Sequence, residues 1–328
     1  MTLSGETITS TDKLIKSLNV PSSEYVARYN NVMQQIGKIK TSEREFEDVT
    51  LNDLVHVSDI GAGMFGTVMK MQFVPTKEYF AVKHIILDEK NNDLRRIIME
   101  CYVLLDFSCH ENIITCYGVL KKDTGLYLCM ELMNSCLETL IKQHYKMGLE
   151  EKFVGKFTVN IVDGLDYLKE NYIMHRDIKP SNLLLDQHGV IKICDFGISG
   201  ILVNTVINTS NETGSVKYMA PERIDTKDPY DYRADIWSVG ITVYEMINGF
   251  TPYDKEGSTF AVFATIKKGK EPRFVKDQVS PELEDFTHRC LTSLPANRPT
   301  YKILKEHLFI KESRKAQVRM EDLFNYMK

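Results

Sequence analysis

An Asp, a Lys and an Asn stand close together in His175-Arg176-Asp177-Ile178-Lys179-Pro180-Ser181-Asn182, and a second Asp opens Asp195-Phe196-Gly197 thirteen residues after that Asn. Transfer of a phosphoryl group asks for this set. Asp177 supplies a carboxylate to orient and deprotonate a hydroxyl, and Lys179 a cation to offset phosphate charge. Asn182 and Asp195 supply oxygen ligands for magnesium. A His-Arg-Asp tripeptide alone would arise by chance too often to carry weight. The eight-residue string followed at this spacing by Asp-Phe-Gly is specific.

Upstream, Gly61-Ala62-Gly63-Met64-Phe65-Gly66-Thr67-Val68 fits G-x-G-x-x-G-x-V. Glycines there let a hairpin close over phosphates, where a Cβ would block the backbone. Alone the pattern is weak: it also fits an ordinary glycine turn, or a dinucleotide fingerprint with a helix directly after it. Residues 67–74 alternate partially between apolar and polar, so a strand follows, which favours the phosphate hairpin. Tyr79-Phe80-Ala81-Val82-Lys83-His84-Ile85 is a second strand run with one lysine inside it. A lysine in an apolar strand is costly to desolvate unless it is paired. Residues 93–106 show helical spacing and carry Glu100, the expected partner, since Glu89 and Glu111 lie too near the ends of that segment.

The length of 328 residues permits one large domain or two modest ones. A hydrophobic share of 43% and a charged share of 26% are those of an ordinary globular protein, and a net charge of −4 gives no support for nucleic-acid binding. No apolar run approaches the ~18 residues of a membrane span, and the N-terminus lacks a signal-peptide core. Seven cysteines without metal-like spacing point to a reducing compartment, the cytoplasm with nuclear access. Residues 1–48 are rich in Ser, Thr, Asn and charge, with a helix expected within 24–40. Asn248 to Tyr253 should break a helix, and residues 311–328 suggest a terminal amphipathic helix.

Together these strings resemble protein kinases over residues 54–309. The resemblance implies an α+β, bilobal protein kinase fold with a small β-rich N-lobe (about 54–130), a hinge at 131–133 and a larger, mainly helical C-lobe (about 134–309). A flexible N-terminal extension, 1–53, and a tail, 310–328, would flank it. It further implies ATP with Mg2+ between the lobes, under Ile60 to Val68. Lys83, held by Glu100, would contact phosphates, and Asn182 and Asp195 would bind the metal. Ala81, Met130, Glu131, Met133 and Leu184 would border the nucleotide. Asp177 and Lys179 would act on the transferred group, and Ser215 would shape the pocket for the substrate residue. Met219-Ala220-Pro221-Glu222 matches the end of an activation segment, with Glu222 paired to Arg298. Asp235, in Asp235-Ile236-Trp237-Ser238-Val239-Gly240, would brace the catalytic loop.

Shorter strings narrow the match. Lys179, two residues after Asp177, marks the serine/threonine type. Cys129-Met130-Glu131-Leu132-Met133, Asp195-Phe196-Gly197-Ile198-Ser199-Gly200 and Tyr218-Met219-Ala220-Pro221-Glu222-Arg223-Ile224 resemble the mitogen-activated protein kinase kinases. That likeness implies a mitogen-activated protein kinase as substrate, phosphorylated on Thr and Tyr of a Thr-x-Tyr loop. It also implies an upstream mitogen-activated protein kinase kinase kinase, and no nucleic-acid or membrane partner. By position from Asp-Phe-Gly, the likeness makes Thr205 and Thr209 the expected regulatory phosphorylation sites, with Arg176 beside Asp177 as the cation to pair with phospho-Thr209. Thr205 replaces the family's usual serine, and the stretch from Thr209 to Gly214 runs one residue longer. Lys13 to Val20 fits a loose docking pattern of basic and then apolar residues. A serine/threonine kinase of a neighbouring family, or a non-catalytic pseudokinase scaffold, remain the alternatives. The second is opposed by the presence of Lys83, Glu100, Asp177, Asn182 and Asp195.

Overall fold

The structure is a computed structural model that describes residues 23–63, 66–86, 94–196, 213–224, 230–269 and 271–324. The chain divides into two compact units. The first takes the described residues up to Asp106 together with Thr115–Leu132, and the second takes Phe107–Ile114 and everything from Met133.

The first unit is built on an antiparallel seven-stranded sheet ordered β2-β1-β6-β7-β5-β4-β3. Its strands are β1 (Ile39–Lys40), β2 (Glu45–Phe46), β3 (Leu54–Gly63), β4 (Gly66–Phe73), β5 (Tyr79–Ile86), β6 (Cys116–Lys122) and β7 (Gly125–Glu131). Alternation along β4 and β5 puts Met71, Phe73, Phe80 and Val82 into one apolar cluster with Ile39, Leu54, Leu120 and Cys129. Phe73 and Phe80 stack at 5.4 Å between ring centroids, and Phe46 meets Phe73 edge-on at 5.1 Å.

The sequence assigns residues 1–53 to a flexible extension, but the described part of that segment is folded onto the first unit. Residues 23–35 form a helix, Ser23–Gln35, which ends at Gln35 rather than running to 40. Its Val32 and Tyr29 are buried. Arg28 lies over the Tyr102 ring at 5.2 Å and donates to Met99 Sδ at 3.1 Å, which ties this helix to the helix Leu94–Phe107. Ile39, fully buried, pairs with Gly118 of β6, and Gly37 N donates to Val119 O at 3.0 Å. Burial of Ile39, Val49 and Leu54 in the sheet cluster is the reason this stretch is ordered.

The second unit is mainly helical. Helix Glu151–Glu170 buries Phe153, Phe157, Ile161, Leu165 and Leu168, an apolar stripe at helical spacing. Helix Arg233–Asn248 is buried nearly all round and so sits inside the unit. It stops at Gly249, whose φ of +77° needs a residue without Cβ and whose N–H returns to Glu245 O. The expected break at 248–253 is therefore a left-handed cap. Helices Thr259–Lys267 and Pro281–Cys290 each start with a serine, Ser258 and Ser280, that accepts from the amide three residues on. A small three-stranded sheet, β8 (Ser135–Cys136), β9 (Leu183–Leu185) and β10 (Ile191–Ile193), carries the loops used for chemistry.

Residues 107–114, which the sequence places in the small lobe, belong to this second unit. Ile113 and Ile114 are buried, Ile114 N donates to Ile193 O at 3.0 Å, and Asn112 Nδ2 donates to Ile191 O at 3.1 Å. The C-terminal segment also differs from expectation. One helix, Leu308–Lys315, begins before residue 310 and buries Phe309 and Ile310. A separate turn of helix, Met320–Phe324, is pinned by buried Leu323, whose carbonyl accepts from Tyr145 Oη at 3.1 Å. Among the described residues, no helix is long and apolar enough to cross a membrane.

Candidate active site

Each unit carries part of the chemistry-bearing set. In the first, β3 and β4 form the glycine hairpin, with Gly61 opposite Val68, Ala62 opposite Thr67 and Gly63 opposite Gly66. Met64 and Phe65, at its tip, lie outside the described residues. Gly66 has φ +137°, and a Cβ there would fall 1.8 Å from the His84 carbonyl oxygen, so only glycine fits. Ile60 is exposed, whereas Ala81 is buried opposite Met130 in β7. Glu131 ends β7, where its carboxylate accepts from Thr115 N at 2.7 Å and its own N–H donates back to Thr115 O at 3.0 Å.

Lys83 sits mid-strand in β5, between Val68 and Leu128 on the neighbouring strands. Its Nζ donates to Glu100 Oε1 at 2.7 Å, and both side chains are buried. A lone ammonium would not persist there; the carboxylate is what lets it stay charged. The same bond fixes helix Leu94–Phe107 against the sheet.

In the second unit the catalytic loop is held from below by Asp235, which accepts from His175 N at 2.9 Å and from Arg176 N at 2.8 Å. Burial pushes the Asp235 carboxyl up, and His175 together with the two amide bonds and Arg223 holds it back. His175, wholly buried, has its Nε2 2.8 Å from Cys194 O, while Asp177 N donates to its Nδ1 at 3.2 Å. Those two bonds hold the imidazole ring in one orientation. They also connect the loop to the residue before Asp195. Phe196 packs edge-on against His175 at 5.2 Å. Arg176 and Asp195 both have left-handed backbone, φ +70° and +61°, a strained geometry for non-glycine residues that clusters at functional loops.

Asp177 Oδ2 accepts from Asn182 Nδ2 at 2.9 Å and lies 2.7 Å from Lys179 Nζ. Asn182 Nδ2 also donates to Asp177 O, so its amide oxygen faces away from that carboxylate. Lys179 Nζ donates in turn to Ser215 Oγ at 2.7 Å, which brings Ser215 into the same cluster. Cys194 N donates to Asn182 O at 3.0 Å, which ties the strand end leading to Asp195 to the catalytic loop. The amide oxygen of Asn182 and the carboxylate of Asp195 are hard-oxygen donors of the kind that suits magnesium, an ion usually held by one or two carboxylates plus phosphates rather than by a full protein cage. Leu184 is half-buried in β9, and Met133 half-buried before β8. Gly197, Thr205, Thr209 and the Lys13–Val20 stretch lie outside the described residues.

Arg298, fully buried, forks onto Glu222 at 2.7 and 3.2 Å and also donates to the carbonyls of Arg233 and Thr292. Sequence reasoning missed a second constellation, around buried Glu245. Tyr218 Oη donates to Glu245 Oε2 at 2.5 Å, and Lys217 Nζ lies 2.7 Å from Asp254 Oδ1. The one signal for it was a glutamate at an otherwise buried position of helix Arg233–Asn248. Burial pushes the Glu245 carboxyl up to about 7, with Asp254 and Glu138 adding to the rise, while Tyr218 and Lys142 oppose it. The folded protein therefore holds a proton on Glu245 more tightly than the unfolded chain does. Its contribution to stability is full below the usual carboxylate range and is lost as pH rises through about 7. Glu245→Gln should gain on wild type by about 5 °C in thermal midpoint between pH 5 and pH 8. A constant difference across that range in scanning calorimetry would refute the assignment.

The protein kinase domain family matches residues 54–310. The chain is 37% identical over 313 residues to human dual specificity mitogen-activated protein kinase kinase 7, covering 93% of this chain and 74% of that protein. It is 35% identical over 280 residues to the Caenorhabditis elegans dual specificity mitogen-activated protein kinase kinase sek-1, covering 84% and 83%. Against the Drosophila melanogaster dual specificity mitogen-activated protein kinase kinase hemipterous it is 37% identical over 313 residues, 94% of this chain but only 26% of that longer protein. With that extent of likeness added to the loop geometry, the chain belongs to the protein kinase family, among the dual-specificity mitogen-activated protein kinase kinases.

Proposed function

We propose that this chain transfers the γ-phosphoryl group of ATP to the Thr and the Tyr of a Thr-x-Tyr loop in a mitogen-activated protein kinase, after itself being phosphorylated by an upstream kinase. The observation that carries the reading is the state of Asp177. Its Oδ2 is held by Asn182 and Lys179, while its Oδ1 has no partner among the described residues and is free to accept a hydroxyl proton. Asp177 orients the incoming hydroxyl in line and takes its proton. Lys179 offsets charge on the group in transit. Lys83, kept charged by Glu100, neutralises phosphate oxygens of the nucleotide, whose adenine contacts the backbone of 131–133. Asn182 and Asp195 hold magnesium, which when bound draws negative charge from the phosphates.

Thr205 and Thr209 are the sites of activation in this reading. Arg176 Nε is buried without a partner among the described residues, which suits it to receive a phosphate from that segment. Replacing both threonines by alanine should remove activation by the upstream kinase, read as phosphate transferred per minute; full activation of that variant would refute the assignment. The chain is expected to act in the cytoplasm, with nuclear access.

Mass spectrometry of catalytically dead mitogen-activated protein kinases, incubated with the upstream-activated protein and ATP, tests the main proposal. Phosphate on both Thr and Tyr of one loop is the expected result. Phosphate on Thr or Ser alone would move the protein's activity to that of a serine/threonine kinase, and none on any substrate would leave a scaffold.

A further inference from the structure

Strand β7 ends at Glu131, and the bonds there depart from those of a plain antiparallel pair. Cys116 of β6 lies across from Met130 of β7, so Thr115 falls across from Glu131. All four residues belong to the first unit. In a regular hydrogen-bonded antiparallel pair, each residue's N–H donates to the other's carbonyl. Half of that exchange is present: Glu131 N donates to Thr115 O at 3.0 Å. The other half is replaced. Thr115 N donates to Glu131 Oε1 at 2.7 Å, so the side chain stands in for the Glu131 carbonyl in the pair. An amide bonded to a carboxylate makes a shorter and stronger hydrogen bond than one bonded to a neutral carbonyl, which favours the exchange.

The sheet supports the carboxylate in that place. Phe80 of β5 lies across from Glu131, so the two side chains leave the same face of the sheet. Phe80 is buried and packs on Tyr117 at 4.6 Å between ring centroids. Tyr117 is the extra residue of β6 between Cys116 and Gly118, where the register shifts. Its phenol feels the Glu131 carboxylate: burial first, and then Glu131 and Glu78, push it up to about 12. The half-buried Glu131 side chain therefore turns back onto the chain instead of out to solvent.

The consequence falls on the Glu131 carbonyl, which the pair with Thr115 does not engage. The base of ATP carries a 6-amino group, a donor, and the carbonyl is the acceptor that a main chain offers. Without the carboxylate, the Thr115 N–H would lie half-buried with no acceptor, and the carbonyl across from it would be drawn in to complete the pair. The magnitudes favour that outcome, because an unsatisfied buried donor costs more than an ordinary hydrogen bond contributes net.

Resting on the kinase reading above, we propose that the Glu131 carboxylate is a positioning residue for the nucleotide base. By taking the Thr115 amide, it keeps the Glu131 carbonyl turned to the 6-amino group and so makes the enzyme prefer ATP to a purine nucleotide lacking that group. It acts on nucleotide binding and not on the transfer step.

The test uses the full chain, activated by its upstream kinase, with a catalytically dead mitogen-activated protein kinase as acceptor. Two phosphoryl donors are compared: ATP and purine riboside triphosphate, which differs only in lacking the 6-amino group. Wild type should favour ATP about tenfold in kcat/KM, through KM, the factor that one hydrogen bond supplies. In Glu131→Leu that ratio should fall to about two or less. In Glu131→Gln, whose amide oxygen can still accept from Thr115 N, it should stay above about five. A wild type without preference, or a preference that survives Glu131→Leu, would overturn the proposal. So would equal losses with both donors in Glu131→Leu, which would make the side chain a structural support alone. Absence of transfer from either donor by wild type would instead overturn the kinase reading itself.

Discussion

Asp177→Asn protein should lose about three orders of magnitude in kcat while its affinity for ATP changes by less than about threefold. The substitution keeps the shape of the group and an oxygen that can accept from Asn182 Nδ2 and Lys179 Nζ, so the loop has no reason to collapse. What it removes is a carboxylate able to take a proton from the hydroxyl and to aim it. The backbone supports of the loop, Asp235 onto His175 N and Arg176 N, are untouched. Binding of nucleotide, measured by calorimetry with the same sample used for steady-state rates, separates the two effects. Equal losses in rate and in nucleotide affinity would mean that Asp177 holds the nucleotide, and that the base is another residue.

The groups in that prediction were legible in the sequence because each is fixed by a short string. His175 to Asn182 is one loop whose spacing alone brings Asp177, Lys179 and Asn182 together, as their bonds show. The Lys83–Glu100 pair was legible for a different reason. An interior strand lysine is too costly to leave unpaired, and one following helix offered one well-placed glutamate. The glycine hairpin was legible because residues 67–74 carry strand alternation, which excludes a helix directly after it.

What the sequence did not disclose depends on contacts between distant segments. Strands β1 and β2 have two residues each, too few for any period, and what orders them is Ile39 entering a cluster with Phe73 and Phe80. Residues 107–114 fall within the span that the sequence assigns to the small lobe. Their attachment to β10 rests on Asn112 and Ile114 bonding to residues some eighty positions later. Tyr218 and Glu245 lie 27 positions apart and match no pattern, and only the folded chain buries Glu245 against a phenol. The C-terminal apolar residues promised one amphipathic helix. Ala316, with extended backbone, ends the first helix, and Leu323 anchors a second.

Arg298→Met should lower the thermal midpoint by about 10 °C, the largest stability effect expected in this chain, from about 3–5 kcal/mol of lost stability. The Arg298 side chain is fully buried, and its guanidinium serves four acceptors at 3.2 Å or closer: both Glu222 oxygens, Arg233 O and Thr292 O. It also lies over the Trp237 ring at 5.3 Å. Methionine fills much of the volume but leaves Glu222 as a charge with its counter-ion gone and two carbonyls without donors. Lysine is expected to do little better, since a point ammonium cannot reproduce the planar fork. The double variant Arg298→Met/Glu222→Met separates charge from packing. If the stranded carboxylate is the main cost, removing it should restore roughly half of the lost midpoint; the rest reflects the carbonyls of Arg233 and Thr292, which no methionine can satisfy. A double variant no more stable than Arg298→Met alone would assign the loss to those carbonyls and the Trp237 contact, and would leave the ion pair with no net part in holding this unit together.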